Sequence, residues 1–275
     1  MAPAVLVNGS PEGMISPLDR GLAYGDGLFE SIRFVGAMAP LWCRHMQRLA
    51  EGCRRLRMPS PDAAQLWEEA SSVRRDLSHC VVRITLTRGV GERGYAPPTA
   101  PSPTRIVAAF PAPLVPSENY ADGVRVRMCE LRLAAQPLLA GIKHLNRLEQ
   151  VLARAEWSDP AIAEGLLCDG DGRVVCATMA NVFAVADDVL LTPAVDRCGV
   201  AGVARAEVLQ AFPQTQISDI ALDTLWRADE IFLSSSVRGI VPVSSLGGRA
   251  YAPGNITRRL QQHWQTLGFS MEQAG

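Results

Sequence analysis

Residues 140–157, AGIKHLNRLEQVLARAEW, hold Lys143, the only lysine in a chain of 275 residues that otherwise places arginine wherever a fixed positive charge is needed. The difference is chemical. A lysine amine can lose its proton in a partly desolvated site and attack a carbonyl to form a Schiff base, whereas a guanidinium stays charged. The ordinary alternative is one surface lysine left over in an arginine-biased composition, and the neighbouring residues decide between the two. Asn146 and Glu149 have the spacing of a capping box, and Leu148, Val151, Leu152 and Ala155 recur at helical period, so a helix is expected over about 147–157. Lys143 then falls on the turn that leads from the apolar residues 138–142 into that helix. Such a position is fixed at the mouth of a site, which favours the Schiff-base role.

The rest of the composition narrows the function. A hydrophobic share of 48% with 20% charged residues is that of a globular protein, long enough for one large or two modest domains. A net charge of −1 and a pI near 6.4 offer no electrostatic footprint for nucleic acid or an acidic membrane. The seven cysteines have no CxxC spacing and the four histidines no ligand pairing, which argues for reduced thiols in a cytoplasm and against a metal centre. The N-terminal MAPAVLVNGSPEG lacks a charged start before an apolar run, so no signal peptide is expected, and no apolar run is long enough to cross a bilayer.

Along the chain, residues 5–8 read as a strand, and 28–35 as a second one after Gly21, Gly25 and Gly27, whose recurrence suggests a backbone lying close to something. Gly36-Ala37 reads as a hairpin turn with a return strand at 40–42, followed by helices at 44–58 and 62–77 and strands at 80–88 and 105–110. The prolines at 111, 113 and 116 disfavour helix and central strand alike, and mark a linker. The expected organisation is a small α/β domain over 1–111, a linker over 112–120, and a larger domain over 121–275 that carries the lysine. In the second half, strands are expected at 123–131, 164–168, 173–176, 181–186, 189–191, 230–233 and 240–243. Asp169–Gly172 is a hairpin turn rather than a calcium loop, because the further acidic ligands are missing. Residues 199–205 open a helix after glycine, a ready anion site, and Ser234–Ser236 could hold phosphate oxygens. A final helix is expected over about 256–267.

One Schiff-base lysine, two anion cradles and arginines beside glycine loops form the inventory of a pyridoxal phosphate enzyme acting on an anionic amine. With AGIKHLNRLEQVL at 140–152, DRGLAYGDGLFES at 19–31, HMQRL at 45–49, RGVGERGY at 88–95 and ANVF at 180–183, the chain resembles the fold-type IV pyridoxal phosphate family over nearly its whole length. That family spans the branched-chain and D-amino-acid aminotransferases and the aminodeoxychorismate lyases, and the likeness is greatest to the bacterial lyases. The resemblance implies two α/β domains, the second barrel-like, with pyridoxal 5′-phosphate between them, in a homodimer. It implies that Lys143 holds the cofactor, that Arg48, the backbone of Val203 and Ala204, and Ser236 bind its phosphate, and that Arg88, Arg93, Tyr95 and Tyr24 lie on the substrate side, the arginines toward substrate carboxylates.

One position departs from the family pattern. Five residues before Asn181 the family has a glutamate that pairs with the pyridine nitrogen, and here that position is Cys176. A thiol keeps the nitrogen protonated poorly unless it is ionised. This would cost an aminotransferase more than a lyase whose product gains aromaticity. The implied reaction is elimination of pyruvate from 4-amino-4-deoxychorismate to give 4-aminobenzoate. The alternatives are an aminotransferase of the same fold and a weakened binder of the cofactor.

Overall fold

The computed structural model describes residues 4–75 and 77–269. By contacts the chain forms two compact units, the first made of residues 1–113 with 142–146, the second of 114–141 with 147–275. The division at Pro113 falls inside the expected linker. The segment bearing Lys143, however, goes with the first unit and not with the second, where a reading by sequence order had put it.

The first unit runs β1 (Val5–Val7), α1 (Arg20–Tyr24), β2 (Gly27–Val35), α2 (Trp42–Leu56), α3 (Ala63–Arg74), β3 (His79–Thr87) and β4 (Thr104–Pro111). Its sheet has the order β1-β4-β3-β2 and is antiparallel throughout, with β2 and β3 paired from Gly27–Thr87 to Val35–His79. Phe34, Leu66, Val82, Ile84 and Val107 are fully buried where α2 and α3 cover the sheet. Asp62 starts α3 by accepting the Ala64 amide at 2.9 Å. The return strand expected at 40–42 does not form. Val35 and Met38 close a tight turn, and Trp42 enters α2 at once, its ring edge-on to Trp67 at 4.9 Å. The aromatic cluster outweighs the hairpin signal.

The second unit runs α4 (Ser117–Ala121), β5 (Val124–Leu133), α5 (Leu148–Arg154), β6 (Ile162–Asp169), β7 (Val174–Ala177), β8 (Asn181–Ala186), β9 (Val189–Pro193), α6 (Val203–Ala211), β10 (Gln216–Ser218), α7 (Leu222–Arg227), β11 (Glu230–Ser235), β12 (Gly239–Leu246), β13 (Arg249–Ala250) and α8 (Asn255–Thr266). Its mixed sheet follows the order β10-β9-β8-β11-β12-β5-β6-β7, with β13 beside β12, and the pairings β12–β5 and β5–β6 are parallel. Phe183 and Phe232 stack at 4.9 Å on neighbouring strands, and Trp264 of α8 is fully buried. Glu230 begins α8 by accepting the amides of Ile256 and Thr257.

Helix α5 differs from its expectation in length, cap and face. It spans Leu148–Arg154, and no side chain caps it. The two capping-box residues are engaged elsewhere: Asn146 Nδ2 donates to Gly25 O at 3.2 Å, and Glu149 accepts the Ala134 amide at 2.8 Å. The buried side is Ala153 with Trp157 just beyond the helix, while Leu148, Val151 and Leu152 are more than half exposed. The helical period was present in the sequence, but the apolar stripe faces away from this chain's core.

Candidate functional site

Lys143 is positioned by main chain. Its carbonyl accepts the Phe29 amide at 3.0 Å, Leu145 N donates to Gly27 O at 2.9 Å, and Leu28 bridges His144, so residues 142–146 lie along the free edge of β2. The glycines flanking this edge explain themselves here. Gly25 has φ 66°, and a Cβ on it would come within 2.6 Å of Asn146 Oδ1, while a Cβ on Gly27 would overlap Leu86 O and press on Leu145. Lys143 Nζ stands 4.2 Å from the centre of the Phe29 ring, and the Arg83 guanidinium 4.6 Å from the same ring.

One residue further along β2 lies a buried charged group. Glu30 and His45 are each about 1% exposed, with His45 Nδ1 and Glu30 Oε2 2.6 Å apart. Arg48 donates through Nε to Glu30 Oε1 at 2.8 Å and through Nη2 to Oε2. Burial alone would raise the Glu30 carboxyl, but the charges and hydrogen bonds of Arg48 and His45 outweigh it and hold Glu30 at about 2. His45 goes the other way. Burial lowers its pKa, Glu30 opposes that, and the charges of Arg48 and Lys143 lower it further. The carboxylate is therefore ionised, the imidazole is neutral at pH 7, and Nδ1–H is the donor to Glu30.

The loop after β3 is held chiefly by Arg20, which the sequence reading left out, together with Tyr24. Arg20, only 4% exposed, donates to Gly94 O at 2.9 Å, Tyr95 O at 3.1 Å and Ala96 O at 3.3 Å, and its Nε binds Asp26 at 2.9 Å. Tyr24 accepts the Gly94 amide at 3.2 Å, and its ring lies 5.4 Å from Tyr95. Arg88 does not stand free toward a substrate. Its Nε binds Asp26 at 2.8 Å, and its other nitrogens donate to the carbonyls of Leu56 and Arg57 at the end of α2, where they stabilise the helix C-terminus. The assignment of Arg88 to a substrate carboxylate is revised accordingly. Arg93 and Tyr95 remain exposed on the anchored loop.

The second unit holds the remaining sequence candidates. Val203 and Ala204 form the first turn of α6, and Gly202 before them supplies no side-chain cap to their amides. Asn181 fixes this turn, donating to Val200 O at 2.9 Å, and a Cβ on Gly202 would overlap its Oδ1. The asparagine of ANVF is thus a structural pin, a role that the sequence did not suggest. Ser236 is half-buried in the turn between β11 and β12. Arg205 is buried on the same first turn of α6, and desolvation lowers its pKa.

Cys176 sits on β7 opposite Leu167, in an apolar cluster with Cys129, Leu133, Ala153, Trp157, Val175 and Cys198. Burial pushes its thiol up to about 12, and the charges around it leave it there. The thiol is neutral and provides no anion. Among the described residues no group of His, Cys, Asp or Glu could hold a metal ion, and no helix is long and apolar enough to cross a membrane.

The sheet architecture is that of the pyridoxal phosphate enzymes of fold type IV, and the chain belongs to the family Amino-transferase class IV, which it matches over residues 27–246. Among its relatives is the aminodeoxychorismate lyase of Vibrio harveyi, 35% identical over 268 residues that cover 94% of this chain and 99% of the lyase. The crystal structure of 4-amino-4-deoxychorismate lyase from Pseudomonas aeruginosa superposes with a TM-score of 0.90 at 46% identity, covering 95% of this chain and 98% of that one. The Escherichia coli branched-chain amino acid aminotransferase structure is more distant, with a TM-score of 0.83 at 25% identity, over 97% of this chain and 95% of that one.

Proposed function

We propose that the protein is a pyridoxal 5′-phosphate-dependent lyase that eliminates pyruvate from 4-amino-4-deoxychorismate and releases 4-aminobenzoate, a folate precursor. The observation that carries this reading is the full-length likeness to two bacterial lyases, which exceeds the likeness to the aminotransferases in both identity and superposition.

The residues present suit the cofactor. Lys143 is the one lysine in the chain, and its amine, which would hold the cofactor's aldehyde, belongs to a half-buried residue fixed through its own peptide. Arg48, the first-turn amides of Val203 and Ala204 and the Ser236 hydroxyl are donors of the kind that a phosphate requires. When bound, the cofactor supplies an electron sink for charge left on the carbon that bears the substrate's amine. In this reading Lys143 Nζ takes the proton from that carbon and returns one to the departing enolpyruvyl group. Arg93 and Tyr95, on the loop anchored by Arg20, meet the anionic substrate as it enters. Cys176, a neutral thiol, leaves the pyridine nitrogen without a carboxylate partner from β7. That weakness is tolerable for a step driven by aromatisation and costly for amino transfer, which favours the lyase over an aminotransferase.

The same reading includes a homodimer in the cytoplasm. The exposed Leu148, Val151 and Leu152 of α5 support the dimer, as does exposed Leu138 before it, because an apolar stripe of this kind calls for a covering surface. The free state of all seven cysteines suits a reducing compartment.

The test is incubation of the purified protein with 4-amino-4-deoxychorismate and pyridoxal phosphate, without keto acid. Equal yields of 4-aminobenzoate and pyruvate are expected, and both should vanish in Lys143→Ala. Product formed only when a keto acid is added would replace the lyase with an aminotransferase.

A further inference from the structure

We infer that Asn181 is a positioning residue for Lys143, acting through the main chain at residues 199–201 and Gly141, an inference that rests on the cofactor reading above. Every step of the route is a hydrogen bond or a covalent link. Asn181 Nδ2 donates to Val200 O at 2.9 Å. That carbonyl belongs to the same planar peptide as the Ala201 N–H, which donates to Gly141 O at 2.9 Å. The Gly141 amide in turn donates to Gly199 O at 3.0 Å, completing a parallel bridge between Gly141 and Val200. In the chain, buried Ile142 alone separates Gly141 from Lys143, whose own carbonyl accepts the Phe29 amide at 3.0 Å.

One peptide unit is therefore gripped at opposite edges, its oxygen by Asn181 and its N–H by Gly141. A trans peptide is rigid, so a tilt at one edge is felt at the other. Hydrogen bonds in line through such a unit also polarise it and strengthen one another. The near end of the route is firm. Asn181 is 6% exposed and begins β8, where it pairs with Ser234 of β11. The orientation of its amide is set as well, because a carbonyl only accepts and so calls for the NH2 side. At the far end Gly141 has φ 83°, a conformation open to glycine and strained for other residues, and it brings both its N–H and its C=O to residues 199 and 201. A lysine whose main chain is fixed before and after it loses less freedom when its amine joins an aldehyde. Without the Asn181 donor the 200–201 peptide tilts, and Gly141 and the lysine beyond it gain motion.

Asn181→Ala removes that donor. The protein and this variant are each titrated with pyridoxal 5′-phosphate, followed by the yellow colour of the lysine-bound aldehyde, and with pyridoxine 5′-phosphate, followed by calorimetry. The second ligand has the same ring and phosphate but an alcohol in place of the aldehyde, so it does not react with the lysine. The Kd for the aldehyde should rise about tenfold, the scale of one lost hydrogen bond, and that for the alcohol should stay within about twofold. Equal weakening of both means that Asn181 serves only the start of α6 and overturns the inference, as does an unchanged Kd for the aldehyde. Amide hydrogen exchange reads the route without any ligand. Exchange at Ala201 and Phe29 should quicken in the variant, while the amides between β3 and β4 keep their rates. Exchange that quickens at Ala201 and not at Phe29 stops short of the lysine and overturns the inference. If Asn181→Ala does not fold, Asn181→Ser enters the same measurements under the same criteria. A native protein that gives no yellow complex removes the cofactor reading, and exchange at Phe29 then decides the positioning of Lys143 by itself, quickened exchange sustaining it and unchanged exchange overturning it.

Discussion

Arg88 Nε donates to Asp26 Oδ2 at 2.8 Å, joining the end of β3 to the turn that precedes β2. The same oxygen receives Arg20 Nε at 2.9 Å, so one carboxylate holds two guanidiniums. Burial would raise the Asp26 pKa, but the two arginines together lower it, Arg88 contributing more. In the Asp26→Asn variant the arginines lose their shared anion, and Arg20 its hold on residues 94–96. A loss of about 2 kcal/mol is expected, with faster proteolytic cutting at residues 89–96 and a higher KM at little changed kcat. Unchanged cleavage at that loop would show that the clamp does not restrain it.

Acid stability follows from two groups whose folded pKa values lie below their unfolded ones. His45 is neutral when folded, so below its unfolded value near 6.5 the unfolded chain takes up the extra proton and stability falls. Glu30 has an unfolded value near 4.5 and a folded one of about 2, so its contribution is complete above 4.5 and is lost as pH falls toward 2. The Glu30 difference corresponds to about 3 kcal/mol. Urea titrations from pH 7 to pH 3 should show stability falling in both windows. In His45→Gln the upper fall should shrink, and an unaltered profile would contradict the assignment.

Restoring the family's acid at Cys176 should harm the empty protein. The thiol lies among Leu167, Trp157 and Cys129, and a carboxylate there must either be buried among apolar groups or turn them aside. Cys176→Glu should lose about 3 kcal/mol without cofactor and recover much of this when pyridoxal phosphate is added. A melting temperature equal to that of the parent in the absence of cofactor would show that the cluster opens freely.

The apolar stripe of α5 gives a test of assembly. Val151→Glu with Leu152→Glu changes side chains that are about 60% exposed, so the fold of one chain should be untouched. Sedimentation should move from dimer toward monomer, with circular dichroism unchanged. A parent protein that sediments as a monomer would exclude the dimer outright.

Much of the fold was legible, because β8 and the long strands of the first unit alternate or run apolar between clear turn residues. Lys143 stood out through the chain's own usage of arginine. The errors share a physical cause. Arg88 looked like a free cation because its partner Asp26 lies 62 residues away, and Asn146 looked like a cap because its acceptor, Gly25 O, lies 121 residues away. Arg20 was invisible because most of what it binds is backbone carbonyl, which leaves no mark in a sequence. On α5 the period marked an apolar face but could not say whose core it served.

The peptide at 142–146 also orders events in time. The chain completes most of its first unit, leaves it at residue 114, and returns to it only for these residues before continuing. Their hydrogen bonds to Gly27 and Phe29 close a separation of more than a hundred residues, a loop whose ends meet late. On the ribosome the first unit can collapse early, but the edge of β2 stays open until the chain is past its midpoint. A nascent or truncated product therefore carries a formed N-terminal sheet without its lysine. The reactive lysine joins that sheet only once the second half of the chain is being made.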